Sequence, residues 1–273
     1  MAVLPHEGTF SILYGTFPVP IGSGYRPGYL ARPDEAGRFP VIFVLPGVGG
    51  LNSSEKDLCR RLARRGFVCL AIDLYPGKAD GQRDPRQLEA EGHRDPRQLE
   101  ADGQRDSDDL SAYASQTDRA ILSDIDEARE FIESDDVFWA IPDRCGVLGF
   151  DVGGRFALIA AATRSWARAV VVVATPLTGD ENREFQVAEM LKHVSVPVLG
   201  LYGSTDPLIA AETVDAAQDL NQAGQWLLYD GGGHDFMDDG SPDYDAAAAA
   251  DAESRMTQFF QQRLPKPETV DLG

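Results

Sequence analysis

The sequence predicts an α/β fold in which helices cover both faces of a mostly parallel sheet. Short apolar segments typical of strands alternate with segments typical of helices, as in sheets built from β-α-β units. The chain has 273 residues, of which 43% are hydrophobic, so it can bury one large core. A glycine-rich turn at 149–154 joins a short apolar segment to a segment rich in helix formers. We therefore expect residues 1–273 to form a single domain.

The elements follow in order along the chain. Residues 9–15 are predicted to pair with 28–32 as an antiparallel hairpin at the edge of the sheet. The long helix at 108–134 places Ile121, Ile125, Ala128 and Ile132 on one apolar stripe. The remaining predicted strands cover 39–45, 68–74, 145–150, 169–174, 196–202 and 225–229, and the remaining helices cover 54–65, 155–162 and 245–263.

Residues 80–106 interrupt this alternation with a tandem repeat. Residues 80–90 and 91–101 are near-identical eleven-residue copies, and 102–106 begin a third. The repeat is too short and polar for a solenoid, so we interpret it as a surface insertion. It is either a solvated excursion without a role or a lid, since it follows a strand end where substrate loops gather.

The net charge of −19 excludes several classes of partner. Nucleic acids and anionic membranes would be repelled, which leaves a small-molecule substrate as the expected partner. The same field repels anionic substrates, so any anion site must depend on local arginines or helix N-termini. The oligomeric state stays open.

The cysteines, the histidine spacing and the N-terminus give no indication of a disulfide, a metal site or a targeting segment. Three cysteines in apolar segments (Cys59, Cys69 and Cys145) are expected to be reduced core residues. No two histidines have the spacing of metal ligands, so we expect neither metal nor cofactor. The N-terminus lacks a signal-peptide pattern, and no apolar segment approaches the ~18 residues of a membrane helix, so a cytoplasmic location is expected.

The segment 149–154 has the outline of a nucleophile elbow, in which a strand turns sharply into a helix and exposes the residue between them. Ser or Cys is usual at that position, whereas this chain has Asp151. Without further support, the segment could be an ordinary glycine-rich turn.

Two later strand ends supply the partners that such a residue needs. Asp206 follows the strand at 196–202, and His234 follows the strand at 225–229. The order nucleophile, acid, histidine is that of α/β-hydrolases. Asp206 could instead form a turn before Pro207, and His234 could be a loop histidine, but three residues in the right order favour catalysis. The backbone N–H groups of Val152 and Val48 are the expected oxyanion hole.

The chain resembles the dienelactone hydrolase family of α/β-hydrolases. The similarity lies in 41–44 with 50–52, 70–75, 149–154, 202–207 and 233–246. It implies a metal-free, single-domain hydrolase with a Cys-His-Asp triad. At the triad cysteine this chain has Asp151, the family's glutamate is replaced within 46–49, and Asp238 stands at the position of an arginine.

The elbow is also similar to that of haloalkane and haloacetate dehalogenases and of epoxide hydrolases, which use Asp to attack a saturated carbon. In fluoroacetate dehalogenases an arginine after the paired glycines holds the substrate carboxylate, which points to Arg155 here. Arg155 could equally pair with a nearby acid on the surface. Tyr75 and Tyr113 are further candidates for contacts with substrate.

The chemistry of a carboxylate favours alkyl transfer. Attack on an ester carbonyl would give an anhydride, whereas attack on a carbon–halogen bond or an epoxide gives an ordinary ester. The leading hypothesis is therefore a hydrolase with an Asp nucleophile that removes halide from a small haloacid or haloalkane. The alternatives are an epoxide hydrolase, an ester or lactone hydrolase in which Asp151 is a general base or replaces a Cys, and a non-catalytic pseudoenzyme.

Overall fold

An eight-stranded sheet forms the centre of the computed structural model, which describes residues 8–74, 111–179 and 181–265. The strands are β1 (Ile12–Thr16), β2 (Val19–Ile21), β3 (Gly24–Arg26), β4 (Gly28–Pro33), β5 (Phe39–Leu45), β6 (Val68–Ile72), β7 (Ala140–Phe150), β8 (Ala167–Val173), β9 (Val198–Gly203) and β10 (Gln225–Tyr229). The main helices are α1 (Ser53–Arg64), α2 (Asp118–Glu133), α3 (Val152–Thr163), α4 (Val187–Leu191), α5 (Ala211–Leu220) and α6 (Ala246–Arg263).

The strand order of the large sheet is β1-β4-β6-β5-β7-β8-β9-β10. Strands β5 to β10 pair in parallel, while β4 is antiparallel to both β1 and β6. The predicted class, a mostly parallel sheet with helices, is therefore confirmed. The predicted edge pairing is also confirmed, with Ile12 opposite Pro33. A small antiparallel ribbon of β2 and β3, which the sequence pattern did not predict, lies between these two edge strands in the chain.

The central strands are apolar because they are buried on both faces. Every residue of β5 and β6 is buried, as expected for parallel strands covered by helices. The predicted stripe of α2 is also buried, since Ile121, Ile125, Ala128 and Ile132 are each at most 1% exposed. The three cysteines are free and buried, which confirms their assignment to the core.

Side-chain caps explain where the helices next to the site begin. The Asn52 side chain accepts a hydrogen bond from the Glu55 N–H, and the Glu55 side chain accepts one from the Asn52 N–H, which forms a capping box at α1. Thr117 caps α2 and Asp245 caps α6 in the same general way. The described part of the long central helix therefore begins ten residues later than the sequence pattern suggested, at Asp118.

The carboxyl ends of the parallel strands lie along one edge of the sheet, where ligand sites of α/β proteins are usually found. Loops after β5, β7, β9 and β10 bring their residues to this edge. The repeat at 80–106 and Tyr75 lie outside the described residues. None of the helices in the described ranges is both long and apolar enough to cross a bilayer.

Candidate active site

Asp151 occupies a strained turn between β7 and α3. Its backbone has φ 46° and ψ −126°, which is an uncommon conformation for any residue other than glycine. The turn is fixed by hydrogen bonds from the Asp151 N–H to the Val173 carbonyl (3.0 Å) and from the Gly154 N–H to the Asp151 carbonyl (3.1 Å). Strain of this kind costs on the order of 1–3 kcal/mol and is typical of functional sites.

Two glycines make this sharp turn possible. A Cβ on Gly149 would lie 2.3 Å from the Gly154 Cα, and a Cβ on Gly153 would lie 2.2 Å from the Leu45 carbonyl oxygen. Because neither position can hold a side chain, the start of α3 packs directly against β7 and β5. The nucleophile-elbow geometry expected from the sequence is therefore present.

The Asp151 carboxyl group contacts the two backbone donors expected to form an oxyanion hole. Hydrogen bonds from the N–H groups of Val152 and Val48 lower its pKa, and so does nearby His234. Burial raises the pKa more strongly, and Asp235 adds to that effect, so the net pKa is raised. The carboxyl group is thus partly desolvated and lies near the backbone N–H groups of Val152 and Val48, although 27% of the side chain remains exposed.

His234 is held in place by Asp206. The His234 Nδ1 atom lies 2.8 Å from Asp206 Oδ2, and the Asp206 side chain is fully buried. The other oxygen of Asp206 accepts hydrogen bonds from the N–H groups of Leu208 (2.7 Å) and Ile209 (3.2 Å). With Nδ1 donating to a carboxylate, the lone pair of His234 is left on Nε2, which is the atom that faces Asp151.

The loops after β9 and β10 are hydrogen-bonded to each other, which brings the acid to the histidine. The Thr205 N–H donates to the Gly232 carbonyl (2.9 Å), and the Ser204 hydroxyl accepts from the Gly231 N–H (2.9 Å). These bonds lie between neighbouring parallel strands, so the pairing of β9 with β10 sets the position of His234 relative to Asp206.

His234 Nε2 lies 3.9 Å from Asp151 Oδ1. This distance is too long for a direct hydrogen bond, but one water molecule beside the two atoms could reach both at about 2.8 Å. The structure therefore brings the three predicted residues together as a histidine between two carboxylates. Such a group can move a proton between water and a bound substrate.

Gly47 lies against the same carboxyl group. A Cβ at this position would be 3.0 Å from Asp151 Oδ2 and 3.1 Å from the Asp151 Cβ. Gly47 belongs to the segment in which the sequence lacks the glutamate of the resembled family. A side chain there would crowd Asp151, so a carboxylate at 151 and a bare backbone at 47 fit together.

Arg155 lies away from the mouth of the site. It is 2% exposed and forms two hydrogen bonds to the carboxylate of Asp118 (2.9 and 2.8 Å), and it also donates to the Phe185 carbonyl. Arg183 binds the same carboxylate, with Nη2 2.6 Å from Oδ1. Burial raises the pKa of Asp118, but hydrogen bonds from Arg155, Phe185 and Arg183 outweigh it and leave the pKa lowered. The substrate-binding role expected of Arg155 is therefore corrected to a buried ion pair.

The two tyrosines proposed as substrate contacts have different outcomes. Tyr113 is half-buried, with its ring edge-on to Phe156 at 6.4 Å and 4.3 Å from the Arg183 guanidinium. Tyr75 lies outside the described residues. Neither tyrosine gains a substrate contact from the structure, so both remain sequence-based proposals.

Sequence reasoning missed the acidic side chains around His234. Asp235 follows the histidine directly, and burial together with Asp238, Asp243 and Asp206 raises its pKa despite the opposing effect of His234. Asp238 accepts a hydrogen bond from the Asn52 side chain (3.1 Å) and so joins this loop to α1. The sequence does show a run of acidic residues after His234. That Asp235 lies near Asp151 is visible only in the folded structure.

A cavity of about 810 Å³ lies elsewhere, between α1 and α6, and is lined by Arg61, Arg64, Glu253 and Tyr244 among others. Neither Asp151 nor His234 lines it. In the described residues, no group of three or more His, Cys, Asp and Glu side chains is arranged to hold a metal ion.

Comparisons with known proteins agree with the fold. The sequence model of the dienelactone hydrolase family matches residues 27–264. A protein of Methylorubrum extorquens that is provisionally named carboxymethylenebutenolidase is 29% identical over 259 residues, which cover 92% of this chain and 81% of that protein. A Bradyrhizobium protein provisionally named 2-oxo-3-(5-oxofuran-2-ylidene)propanoate lactonase is 29% identical over 256 residues, covering 90% and 92%.

A solved structure from Klebsiella pneumoniae, provisionally described as a dienelactone hydrolase, superposes with a TM-score of 0.75 at 27% identity. It covers 92% of this chain, which in turn covers 99% of that structure. These relatives are named for lactone hydrolysis, and none of them is named as a dehalogenase. The matched range includes the elbow, Asp206 and His234, and the chain therefore belongs to the dienelactone hydrolase family of α/β-hydrolase enzymes.

Proposed function

We propose that this enzyme hydrolyses a small carboxylic ester or lactone at Asp151, His234 and Asp206. The observation that carries the proposal is the position of His234, which is bound to buried Asp206 on one side and faces the elbow residue on the other. The relatives named as lactone hydrolases support the same bond type. This function replaces halide removal as the leading hypothesis.

In the proposed reaction, water lies between His234 Nε2 and Asp151 Oδ1 and attacks the carbonyl carbon of the substrate. His234 takes a proton from this water as the new C–O bond forms, and Asp206 stabilises the resulting imidazolium. Asp151 accepts a hydrogen bond from the second O–H of the water and so keeps the attacking oxygen oriented. The tetrahedral intermediate then breaks its acyl C–O bond, and the departing oxygen takes the proton from His234.

The negative oxygen of the intermediate requires donors. The N–H groups of Val152 and Val48 are the donors at this position, and they contact the Asp151 carboxyl group in this structure. A substrate carbonyl oxygen must therefore compete with the Asp151 carboxyl group for these two N–H donors. We expect this route to be slower than the reaction of a cysteine enzyme whose oxyanion hole is open.

That same contact favours a second candidate, attack by Asp151 on a saturated carbon. With the carboxyl group placed beside the Val152 and Val48 N–H groups, one of its oxygens could displace halide or open an epoxide to form an alkyl ester. Water activated by His234 would attack the carbonyl carbon of this ester, and the developing oxyanion would already lie at its donors. No relative described above supports these substrates, so this candidate rests on the contact alone.

Single-turnover reaction in heavy-oxygen water separates the two routes. The panel contains 4-nitrophenyl acetate, a five-membered enol lactone, chloroacetate, fluoroacetate and styrene oxide. Direct water attack places the label in the released acid and leaves Asp151 unlabelled. The covalent route places the label in Asp151, and the His234→Ala variant should then accumulate an adduct that increases the protein mass.

The control is Asp34→Asn, which removes a carboxylate from an exposed turn between β4 and β5. It should leave turnover unchanged, whereas His234→Ala should abolish it. If no substrate is turned over faster by the natural protein than by His234→Ala, both candidates fail and the pseudoenzyme hypothesis is favoured.

A further inference from the structure

Several carboxyl groups surround His234. Asp151 and Asp206 flank the imidazole, and Asp235 follows it in the chain. The Asp238 N–H donates to the Asp235 carbonyl (2.8 Å), so Asp235 and Asp238 lie in one tight turn directly after the histidine. The carboxylate of Asp243 packs against Gly233, where a Cβ would lie 2.6 Å from Asp243 Oδ2.

Besides burial, repulsion among these carboxyl groups raises the pKa of Asp235 and of Asp151. Asp235 is close enough to Asp151 to raise the pKa of that carboxyl group, and Asp238 and Asp243 act in the same direction on Asp235. Of the groups that shift the pKa of Asp151 most strongly in the described residues, His234 is the one basic side chain. An anionic group that approaches Asp151 therefore meets several negative charges at short range.

Arg155, which follows the elbow in the chain, and Arg183, which binds the same carboxylate as Arg155, do not offset these charges. Arg155 and Arg183 both bind Asp118, whose side chain is fully buried. Their positive charge is neutralised inside the protein rather than presented to substrate. The backbone donors of Val152 and Val48 are also directed to a carboxylate, that of Asp151.

The net charge of the whole chain, −19, has the same sign as the local field. Electrostatic steering from long range would thus slow the approach of anions and assist cations. By contrast, the Bradyrhizobium relative is named for a propanoate, which is an anion. The local and global charges of this chain both disfavour such a substrate.

We propose that this site selects uncharged or cationic esters and lactones and rejects those that carry a carboxylate, with Asp235 and Asp238 as the residues that set this selectivity. The inference rests on the proposed ester or lactone hydrolysis at Asp151 and His234, and it assigns the substrate class of that reaction.

The test uses a pair of substrates that match in shape and differ in charge. The 4-nitrophenyl ester of levulinic acid is neutral, and the 4-nitrophenyl hemisuccinate has a carboxylate oxygen in place of the terminal methyl group. After each kcat/KM is divided by the hydroxide rate, the neutral ester should be preferred by at least about tenfold, which corresponds to about 1.4 kcal/mol. Added sodium chloride should narrow the preference, because salt screens the exposed charges.

Two variants locate the source of the preference. The preference for the neutral ester should decrease about threefold in Asp235→Asn and in Asp238→Asn. The decrease should come from faster turnover of the hemisuccinate rather than slower turnover of the levulinate ester. Asp34→Asn, the control on the exposed turn, should leave the ratio unchanged. Equal or faster turnover of the hemisuccinate by the natural protein would overturn the proposal, and so would an unchanged ratio in both site variants.

A binding measurement separates this proposal from the proposed function. Hexane-2,5-dione and levulinate are the corresponding neutral and anionic ketones, which cannot be hydrolysed, and the imidazole signals of His234 in isotope-labelled protein report their binding. If the dione binds more tightly while neither ester is turned over, the charge selectivity stands and ester hydrolysis fails. Tighter binding of levulinate, or no binding of the dione, would overturn the selectivity itself.

Discussion

Replacing Glu55 by Gln should make the protein more stable at high pH and leave its stability unchanged in acid. Glu55 is 6% exposed in the first turn of α1, where its Oε2 atom accepts a hydrogen bond from the Asn52 N–H at 3.1 Å. Burial raises its pKa from 4.5 to about 8, with Asp238 and Asp73 adding to the effect and the Asn52 N–H opposing it. The folded protein therefore keeps a proton on Glu55 that the unfolded chain loses.

The sign and size of the effect follow from this difference. The stability that the protonated Glu55 contributes is complete below pH 4.5 and decreases as the pH rises to about 8. The interval of about 3.5 units corresponds to about 5 kcal/mol, an upper bound because water can reach a charged side chain after small movements of the loop. A glutamine keeps the acceptor for the Asn52 N–H, carries no charge, and offers its amide N–H groups to the nearby carboxylates.

Urea denaturation of both proteins between pH 4.5 and pH 9 measures the effect. The difference in unfolding free energy between Glu55→Gln and the natural protein should increase with pH and level off near pH 8. Glu212→Gln, which removes an exposed glutamate in the first turn of α5, should show little change across the same range. A flat difference for Glu55→Gln, or a loss of stability at pH 9, would refute the reasoning.

Three further substitutions test the site and its support. Asp206→Asn should lower kcat by on the order of 10³–10⁴-fold without loss of folded protein, measured by ester turnover and circular dichroism, since the amide favours the wrong tautomer of His234. Arg155→Met should cost about 3–5 kcal/mol in urea denaturation, because Asp118 loses its bidentate partner inside the protein. Gly47→Ala should lower kcat by about 10- to 100-fold with an unchanged melting temperature, because the added Cβ crowds the Asp151 carboxyl group; equal activity would show that the carboxylate can move freely.

The sequence was most informative where a residue follows a strand of the parallel sheet. Asp151, Asp206 and His234 each come after an apolar segment of the parallel sheet, and the parallel pairing of β7 to β10 then brings their loops to one edge. The predicted boundaries of β5 and β10 agree with the structure, because these strands end at proline or glycine turns. In such cases local pattern and tertiary structure depend on the same residues.

The partner of Arg155 could not be read from the sequence. Asp118 precedes it by 37 positions, and only the packing of α2 beside α3 brings the two together. Charge and helical position gave equal support to a substrate contact and a surface pair, and the buried network with Arg183 was neither. The acids near Asp151 were missed for a similar reason, since the effect of Asp235 depends on how its loop folds back.

The backbone at 151 is shaped by its neighbours rather than by its own side chain. Gly149, Gly153 and the Val173 carbonyl would impose the same bend on serine, cysteine or aspartate. Exchanging that single residue should alter the reaction while the scaffold persists, so laboratory evolution of new activities could begin at this one position. Related genes could also diverge in chemistry by the same short route, with little penalty in folding.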